Sequence, residues 1–326
     1  MDLSVVILNW NTRDLLRQCL TSILCSKSEI QVQVIVVDNA SEDDSREMVR
    51  ELFPQVTLIA NPANIGFGAG NNQALPDATG RYVLFLNSDT VVTDGSLDLL
   101  VGYADSNPDI GIVGPKLLND DGSLQYSCRS YPNLGTGFFR NTPLGRLFPR
   151  NHFTNDYLLT DYDHATPRDV DWVSGAALMM RRSLIDKIGA FDTEYFMFCE
   201  DVDLCWRANH TERGTRNEER GARNEEPVQK WRVSYFPDAI VYHLIGKSTD
   251  LAPTRMTYEF HRSQHLFYKK HYAASTPLLL RPIIPVGIWL RAVGKMARYR
   301  LRRLQRIVSG TDRKRSSNSS RGKKKS

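Results

Sequence analysis

The chain has 326 residues, 41% hydrophobic and 24% charged, an ordinary globular composition with room for one large domain or two modest ones. Its net charge of +5 hides an asymmetry: residues 291–326 hold 14 Lys and Arg against one acid, net +13, while the first 290 hold 28 against 36, net −8. No stretch reaches 18 uncharged apolar residues, which excludes a clear transmembrane helix, and the five cysteines lack zinc-site spacing.

In chain order, Leu3–Leu8 reads as a first strand, closed by Asn9-Trp10-Asn11. Thr12 is placed to cap a helix through Leu24, with Leu15, Leu16, Cys19, Leu20 and Ile23 on one face. Val32–Val37 is a second strand ending in Asp38-Asn39, a helix over 44–52 follows, and Val56–Ala60 is a third strand. Next come the polar, Gly-rich run Asn64 to Asn72 and a short helix. The uncharged run Tyr82–Leu86 is a strand buried on both faces, followed by Asn87-Ser88-Asp89. Alternating strands and helices predict a parallel sheet with right-handed crossovers. Every strand here ends in a polar loop, and that edge is where ligands bind in open α/β sheets. Gly66 to Gly70 imitates a dinucleotide fingerprint, but Asn71 stands at its third glycine position and the loop follows the third strand.

Residues 111–168 read as a loop-rich connection with one hairpin over 116–125, shaping a second substrate's site. Ala177–Met180 is a strand, Ser183 caps a short helix that Gly189 ends, and another helix starts at Cys199-Glu200-Asp201. A charged tandem repeat, ERGTRNE then ERGARNE, marks an exposed insertion at about 210–228. Trp231–Phe236 is a further strand leading to His243, and helix returns over 254–272. The expected organisation is a domain over 1–250, a helical segment over 251–308 and a disordered basic tail over 309–326.

Asp38, Asp89, Glu200-Asp201 and His243 form one constellation. Carboxylates suit Mg²⁺ or Mn²⁺, an imidazole tilts the choice toward Mn²⁺, and a further acid remains as a base. Each residue also has a bland reading. Asp38 can cap a helix, the acidic pair can favour a helix dipole, and His243 can be an interior histidine.

The stretches SVVILNWN (4–11), VIVVDNASEDDS (34–45), NIGFGAGNN (64–72), YVLFLNSDT (82–90), DWVSGAALMMRR (171–182), FMFCEDVDLCWR (196–207) and WRVSYFPDAIVYH (231–243) resemble the family 2 inverting glycosyltransferases, in particular their rhamnosyltransferase-like branch. The resemblance implies a GT-A fold: an α/β, Rossmann-like, mostly parallel sheet with flanking helices. It also implies a nucleotide-diphosphate-sugar donor and a glycan or lipid-linked acceptor. By position, Asn9, Asp38, Asn39, Asn64, Gly66 and Asn87 would line the donor site, and Trp172 the acceptor sugar. Asp89 and His243 would hold a divalent cation, and Asp201, in the pair with Glu200, would be the base. The chain departs from the pattern at Asn87, where the family often has the first Asp of D-x-D, and in the charged repeat.

A catalytically degenerate nucleotide-sugar-binding protein is the competing reading, supported by Asn87. Nucleic-acid binding through the tail lacks any recognised module. Leu, Ile and Trp clusters between Arg residues over 277–307 predict an interfacial helix from Gly287 onward, with Ile288, Leu290, Val293 and Met296 near one face. With the basic tail this points to an anionic membrane surface. Met1-Asp2 running straight into a strand predicts a cytoplasmic protein, peripheral on the inner face of the cell membrane.

Overall fold

The structure, a computed structural model of the chain, describes residues 1–140, 143–149, 151–213, 229–244 and 253–308. Most of the charged repeat and all of the basic tail beyond Val308 lie outside the described residues. The chain divides into two compact units, Met1–Ser248 and Thr249–Ser326.

The first unit opens as strand–helix alternation: β1 (Leu3–Asn9), α1 (Arg13–Leu24), β2 (Val32–Asp38), α2 (Ser45–Leu52), β3 (Thr57–Ala60), α3 (Phe67–Gln73) and β4 (Tyr82–Asn87). It continues through β5 (Thr90–Val92), α4 (Ser96–Ser106), β6 (Ile110–Leu118), β7 (Leu124–Gln125), β8 (Cys128–Arg129), α5 (Leu134–Phe139), α6 (Pro143–Leu147) and α7 (His152–Leu158). Then follow β9 (Arg168–Asp169), β10 (Trp172–Val173), β11 (Ala177–Arg181), α8 (Arg182–Ile188), α9 (Glu200–Asn209) and β12 (Arg232–His243). The main sheet runs β3-β2-β1-β4-β11-β6-β12-β5. Strands β1 to β4 are parallel, β11 is antiparallel to both its neighbours, and β12 runs parallel to β6. This is a GT-A-like α/β arrangement with a mixed, mostly parallel sheet. A two-stranded sheet of β8 and β10 stands apart from it.

The central strands bury both faces. Val5, Val6 and Ile7 of β1 and Val83, Leu84 and Phe85 of β4 have no exposed surface, as all-apolar runs require in a sheet covered by helices. Helix α1 lays Leu15, Leu16, Cys19, Leu20 and Ile23 on the sheet, the face read from its periodicity. Register then fixes the site. Asn9 pairs with Asp38 and Leu8 with Asn87, so the ends of β1, β2 and β4 lie side by side.

Several local expectations are corrected. The Gly- and Pro-containing run at 110–118 is a nine-residue strand near the sheet's centre, not a loop. Its glycines serve packing: a Cβ at Gly114 would lie 2.6 Å from Val173 Cβ, and one at Gly111 would lie 2.5 Å from Leu184 Cδ2. Pro115 and Pro237 sit where β6 and β12 lose register, between Phe236 and Ile240, so their missing N–H groups fall at a bulge. Helix α8 starts one residue before the expected Ser183 cap. Thr12 precedes α1 without capping it; its hydroxyl turns to Asn9 and Ser88. On either side of the insertion, Glu212 and Lys230 form an antiparallel bridge, and Arg213 N donates to Gln229 O at 2.7 Å.

The second unit holds α10 (Pro253–Phe267), a π-helical turn over Tyr268–Tyr272 and α11 (Ile283–Val308). Trp289 Nε1 donates to His265 Nδ1 at 3.0 Å, and its ring meets Tyr258 at 5.5 Å, tying the two helices together. Helix α11 begins at Ile283 rather than after Pro285. Pro285 falls in the first turn, where no N–H is needed for an intrahelical bond.

Candidate active site

At the carboxyl edge of the sheet, Asp38 is buried and both of its oxygens are engaged. Oδ2 accepts from Asn9 Nδ2 at 2.9 Å, and Oδ1 accepts from Arg46 Nε at 2.6 Å and from the Ser41 N–H at 3.0 Å. Burial pushes its carboxyl up, but bonds from Ser41, Arg46 and Asn9 outweigh this and hold it below its ordinary range. Asn9 Oδ1 accepts from Thr12 Oγ1 at 2.7 Å, and Thr12 in turn lies 2.7 Å from Ser88 Oγ. One network therefore ties the loops after β1, β2 and β4. Asp38 is neither a helix cap nor an open carboxylate; it braces this edge.

The loop before α3 is fixed by amides. Asn39 Nδ2 donates to Gly66 O at 3.0 Å, Asn61 Nδ2 to Asn39 Oδ1 at 2.9 Å, and the Gly66 N–H to Asn64 Oδ1 at 3.0 Å. Gly66 has φ +95°, and a Cβ there would lie 2.7 Å from the Phe196 carbonyl, so only glycine fits. Asn11, Ala40, Phe198 and Cys199 also adopt positive φ. Strained residues gather in the loops of this edge, as at functional sites.

Asp89 Oδ1 lies 3.3 Å from His243 Nε2, and Asn87 Nδ2 lies 3.3 Å from the same nitrogen. Gln125, unremarked in the sequence, decides the ring's tautomer. Its Nε2 donates to His243 O at 2.6 Å, so its Oε1, 3.0 Å from Nδ1, must accept the Nδ1 proton. Nε2 faces the Asp89 carboxylate, with Asn87 Nδ2 beside it, a contact that a proton on Nε2 or a cation between the two side chains completes. Ligand atoms 3.3 Å apart fit neighbouring positions around one cation, with the histidine's other nitrogen oriented by an amide. Among the described residues no group of three or more His, Cys, Asp or Glu side chains is placed to hold a metal. A cation here would complete its shell with substrate oxygens and water, as Mg²⁺ does at phosphate sites.

Helix α9 brings three acids into its first turn, and the structure separates them. Asp203 is buried against Arg207, Nε to Oδ2 at 2.8 Å, and serves the packing of α9. Asp201 is half-buried: Oδ2 accepts from the Gly175 N–H at 3.0 Å and Oδ1 from the Val202 N–H at 2.8 Å. Glu200 is buried, and its Oε2 accepts no hydrogen bond among the described residues. Ahead of them, Phe198 and Cys199 have φ of +69° and +66°. Two successive left-handed residues without glycine cost about 1–2 kcal/mol each and turn the acidic pair toward Gly175.

Burial pushes Glu200 well above the ordinary carboxyl range, and the charge of Asp201 adds to this. Burial also raises Asp201, against the opposing pull of the Gly175 and Val202 N–H groups and the Arg129 charge. A carboxyl whose pKa is raised by folding contributes stability at pH values below its unfolded pKa of about 4.3 and loses that contribution as pH rises through the folded value. Glu200→Gln is therefore expected to gain in melting temperature relative to the wild type between pH 5 and pH 8. A difference in melting temperature that does not change with pH would refute this.

Trp172 is only 5% exposed, its Nε1 donates to Ser130 O at 2.9 Å, and the Arg129 guanidinium lies 4.9 Å over its ring. Little indole surface is left for a sugar, and Arg129 holds the more open position. Arg129, Gln125 and Gly175 are functional candidates that only the fold brings out. Gly175 alone carried a signal, by its place in the DWVSGAALMMRR stretch.

The family described as "Glycosyl transferase family 2" matches residues 4–189. The chain is 30% identical over 315 residues to the N-acetylglucosaminyl-diphospho-decaprenol L-rhamnosyltransferase of Mycobacterium tuberculosis, covering 93% of this chain and 95% of that protein. Rhamnosyltransferase WbbL of Escherichia coli is 30% identical over 153 residues, 44% of this chain and 53% of its own. In fold, the chain is similar to a mannosyltransferase of Pyrobaculum calidifontis solved with GDP-Man and Mn2+, with TM-score 0.53 and 20% identity, covering 90% of this chain and 72% of that one. The chain belongs to glycosyltransferase family 2, where it is rhamnosyltransferase-like.

Proposed function

We propose that this protein transfers a sugar, L-rhamnose before others, from a nucleotide-diphosphate donor to a hydroxyl of a lipid-linked acceptor, with inversion. The observation that carries the proposal is Asp201: a half-buried carboxylate aimed by two backbone N–H groups, with Glu200 buried beside it. Each Asp201 oxygen keeps a lone pair free to accept the acceptor's O–H. As that proton moves to Asp201, the acceptor oxygen bonds to the anomeric carbon and the bond to the donor diphosphate breaks on the opposite face. No covalent intermediate is needed. Asp89 and His243 are suited to hold Mn²⁺ or Mg²⁺, which when bound would neutralise charge on the leaving diphosphate. Asn9, Asp38, Asn39, Asn64, Gly66 and Asn87 would shape the donor pocket, the buried ones by fixing its walls. The choice of rhamnose and of a lipid-linked acceptor rests on the mycobacterial relative. Incubating the protein with UDP-, GDP- and dTDP-linked sugars and metal tests the reading: donor hydrolysis or transfer supports it. Binding without any turnover favours the degenerate protein that Asn87 suggests.

The second unit supports a membrane-surface role. Ile283, Val286, Leu290 and Val293 of α11 recur at three- and four-residue spacing, and each is 57–67% exposed; Leu279 before the helix is 85% exposed. Of the expected face, Leu290 and Val293 are outward, whereas Ile288 and Met296 are half-buried on the other side. No helix among the described residues is long and apolar enough to cross a membrane. An exposed apolar stripe flanked by Arg291, Arg298 and Arg300 instead fits the interface of an anionic bilayer. We expect salt-sensitive co-sedimentation with vesicles containing anionic lipid, lost on deleting residues 277–326. Equal binding of the shortened protein, or indifference to lipid charge, would refute it.

A further inference from the structure

Two arginines share one ring near the candidate base: Arg129, whose charge is felt by Asp201, and Arg140, which lies over the same Tyr157. Arg129, on β8, lies 4.9 Å over the Trp172 ring and 5.7 Å over Tyr157, and Arg140 lies 4.6 Å over the same Tyr157. Both guanidinium groups are half-buried, and among the described residues no carboxylate pairs with either. Arg129 makes one hydrogen bond, from Nε to Tyr126 O at 3.0 Å, which leaves its outer N–H groups available. Their charges are mutually felt: burial lowers the pKa of Arg140, and Arg129 lowers it further. Like charges gathered on one aromatic ring are poorly matched to an empty surface and well matched to a polyanion, which two planar forks can grip. Stacking on buried rings holds both forks in place before a ligand arrives.

We propose that Arg129 and Arg140, stacked on Tyr157, bind the diphosphate of the acceptor. The proposal rests on the glycosyl-transfer reading and extends it. The donor's diphosphate would have its own partner in a cation held by Asp89, after β4, and His243, at the end of β12, whereas Arg129 belongs to the small β8–β10 sheet whose continuation, Gly175, holds Asp201. An acceptor anchored there by its diphosphate would present its sugar hydroxyl to Asp201.

The test uses the full chain with farnesyl diphosphate, farnesol and UDP as probes. Wild type should bind farnesyl diphosphate and not farnesol. Arg129→Gln with Arg140→Gln should weaken that binding at least tenfold and leave UDP affinity in Mn²⁺ within twofold. Farnesyl diphosphate affinity unchanged in the double variant overturns the proposal, and a parallel loss of UDP affinity overturns it in favour of the donor's diphosphate. A measurement on unaltered protein guards against misfolding: farnesyl diphosphate should protect Arg129 and Arg140 from phenylglyoxal, mapped by mass spectrometry. Equal labelling with and without it also overturns the proposal. If wild type binds no nucleotide sugar yet the arginines are protected, the transfer reading fails and the diphosphate site stands.

Discussion

Asp201→Asn is expected to lower the transfer rate by about 10²–10⁴-fold, the usual contribution of a positioned general base, with donor affinity nearly unchanged. The substitution keeps the shape of the side chain and one oxygen for the Gly175 or Val202 N–H, but it removes the proton acceptor. Because the base acts on the acceptor, the loss should fall on kcat, with the KM for donor little moved. Glu200 cannot take over the role. It is buried away from an acceptor, and burial together with the Asp201 charge raises its pKa. Initial rates against donor concentration decide the matter: transfer within threefold of wild type would remove Asp201 from the mechanism.

The division of labour between Glu200, Asp201 and Asp203 marks the limit of what sequence carries. Three acids in the first turn of a helix are equivalent to a rule about dipoles. They become a buried acid, a candidate base and a packing group only through Arg207, through Gly175 in the turn between β10 and β11, and through the left-handed pair Phe198–Cys199. The parallel half of the sheet was readable because its strands are short apolar runs and its helices show a 3.6-residue pattern; β1, α1, β2 and β4 fell where that pattern put them. Strand β6 was not, because Gly111, Gly114 and Pro115 are loop residues by local propensity. The glycines are tolerated here since Leu184 and Val173 fill the space beside them, and Pro115 because it falls at the register shift with β12. Trp172 illustrates the same limit from the other side: an indole near a candidate acceptor site reads as a sugar platform until its burial beneath Arg129 is seen. The positions of Asp89 and His243, 154 residues apart, were readable only as ends of strands. Their meeting at 3.3 Å depends on β12 pairing with β5, which no local pattern announces.

That meeting sets the remaining prediction. Asp89→Ala and His243→Ala should each weaken nucleoside-diphosphate binding about tenfold or more, equivalent to about 1.4 kcal/mol or more, and only when Mn²⁺ or Mg²⁺ is present. Gln125→Ala should act in the same direction without touching the cation, since loss of the group that orients a ligating histidine costs about 10–100-fold in metal affinity or activity. Isothermal titration of UDP, GDP and dTDP with and without metal separates the cases. A direct role of either side chain in nucleotide binding would give the same loss in chelator as in metal. A proton on the His243 ring in place of a cation would leave turnover indifferent to chelator. Unchanged wild-type turnover in excess chelator would therefore show that the Asp89–His243 pair does not work as a metal site, while leaving the role of Asp201 as base intact.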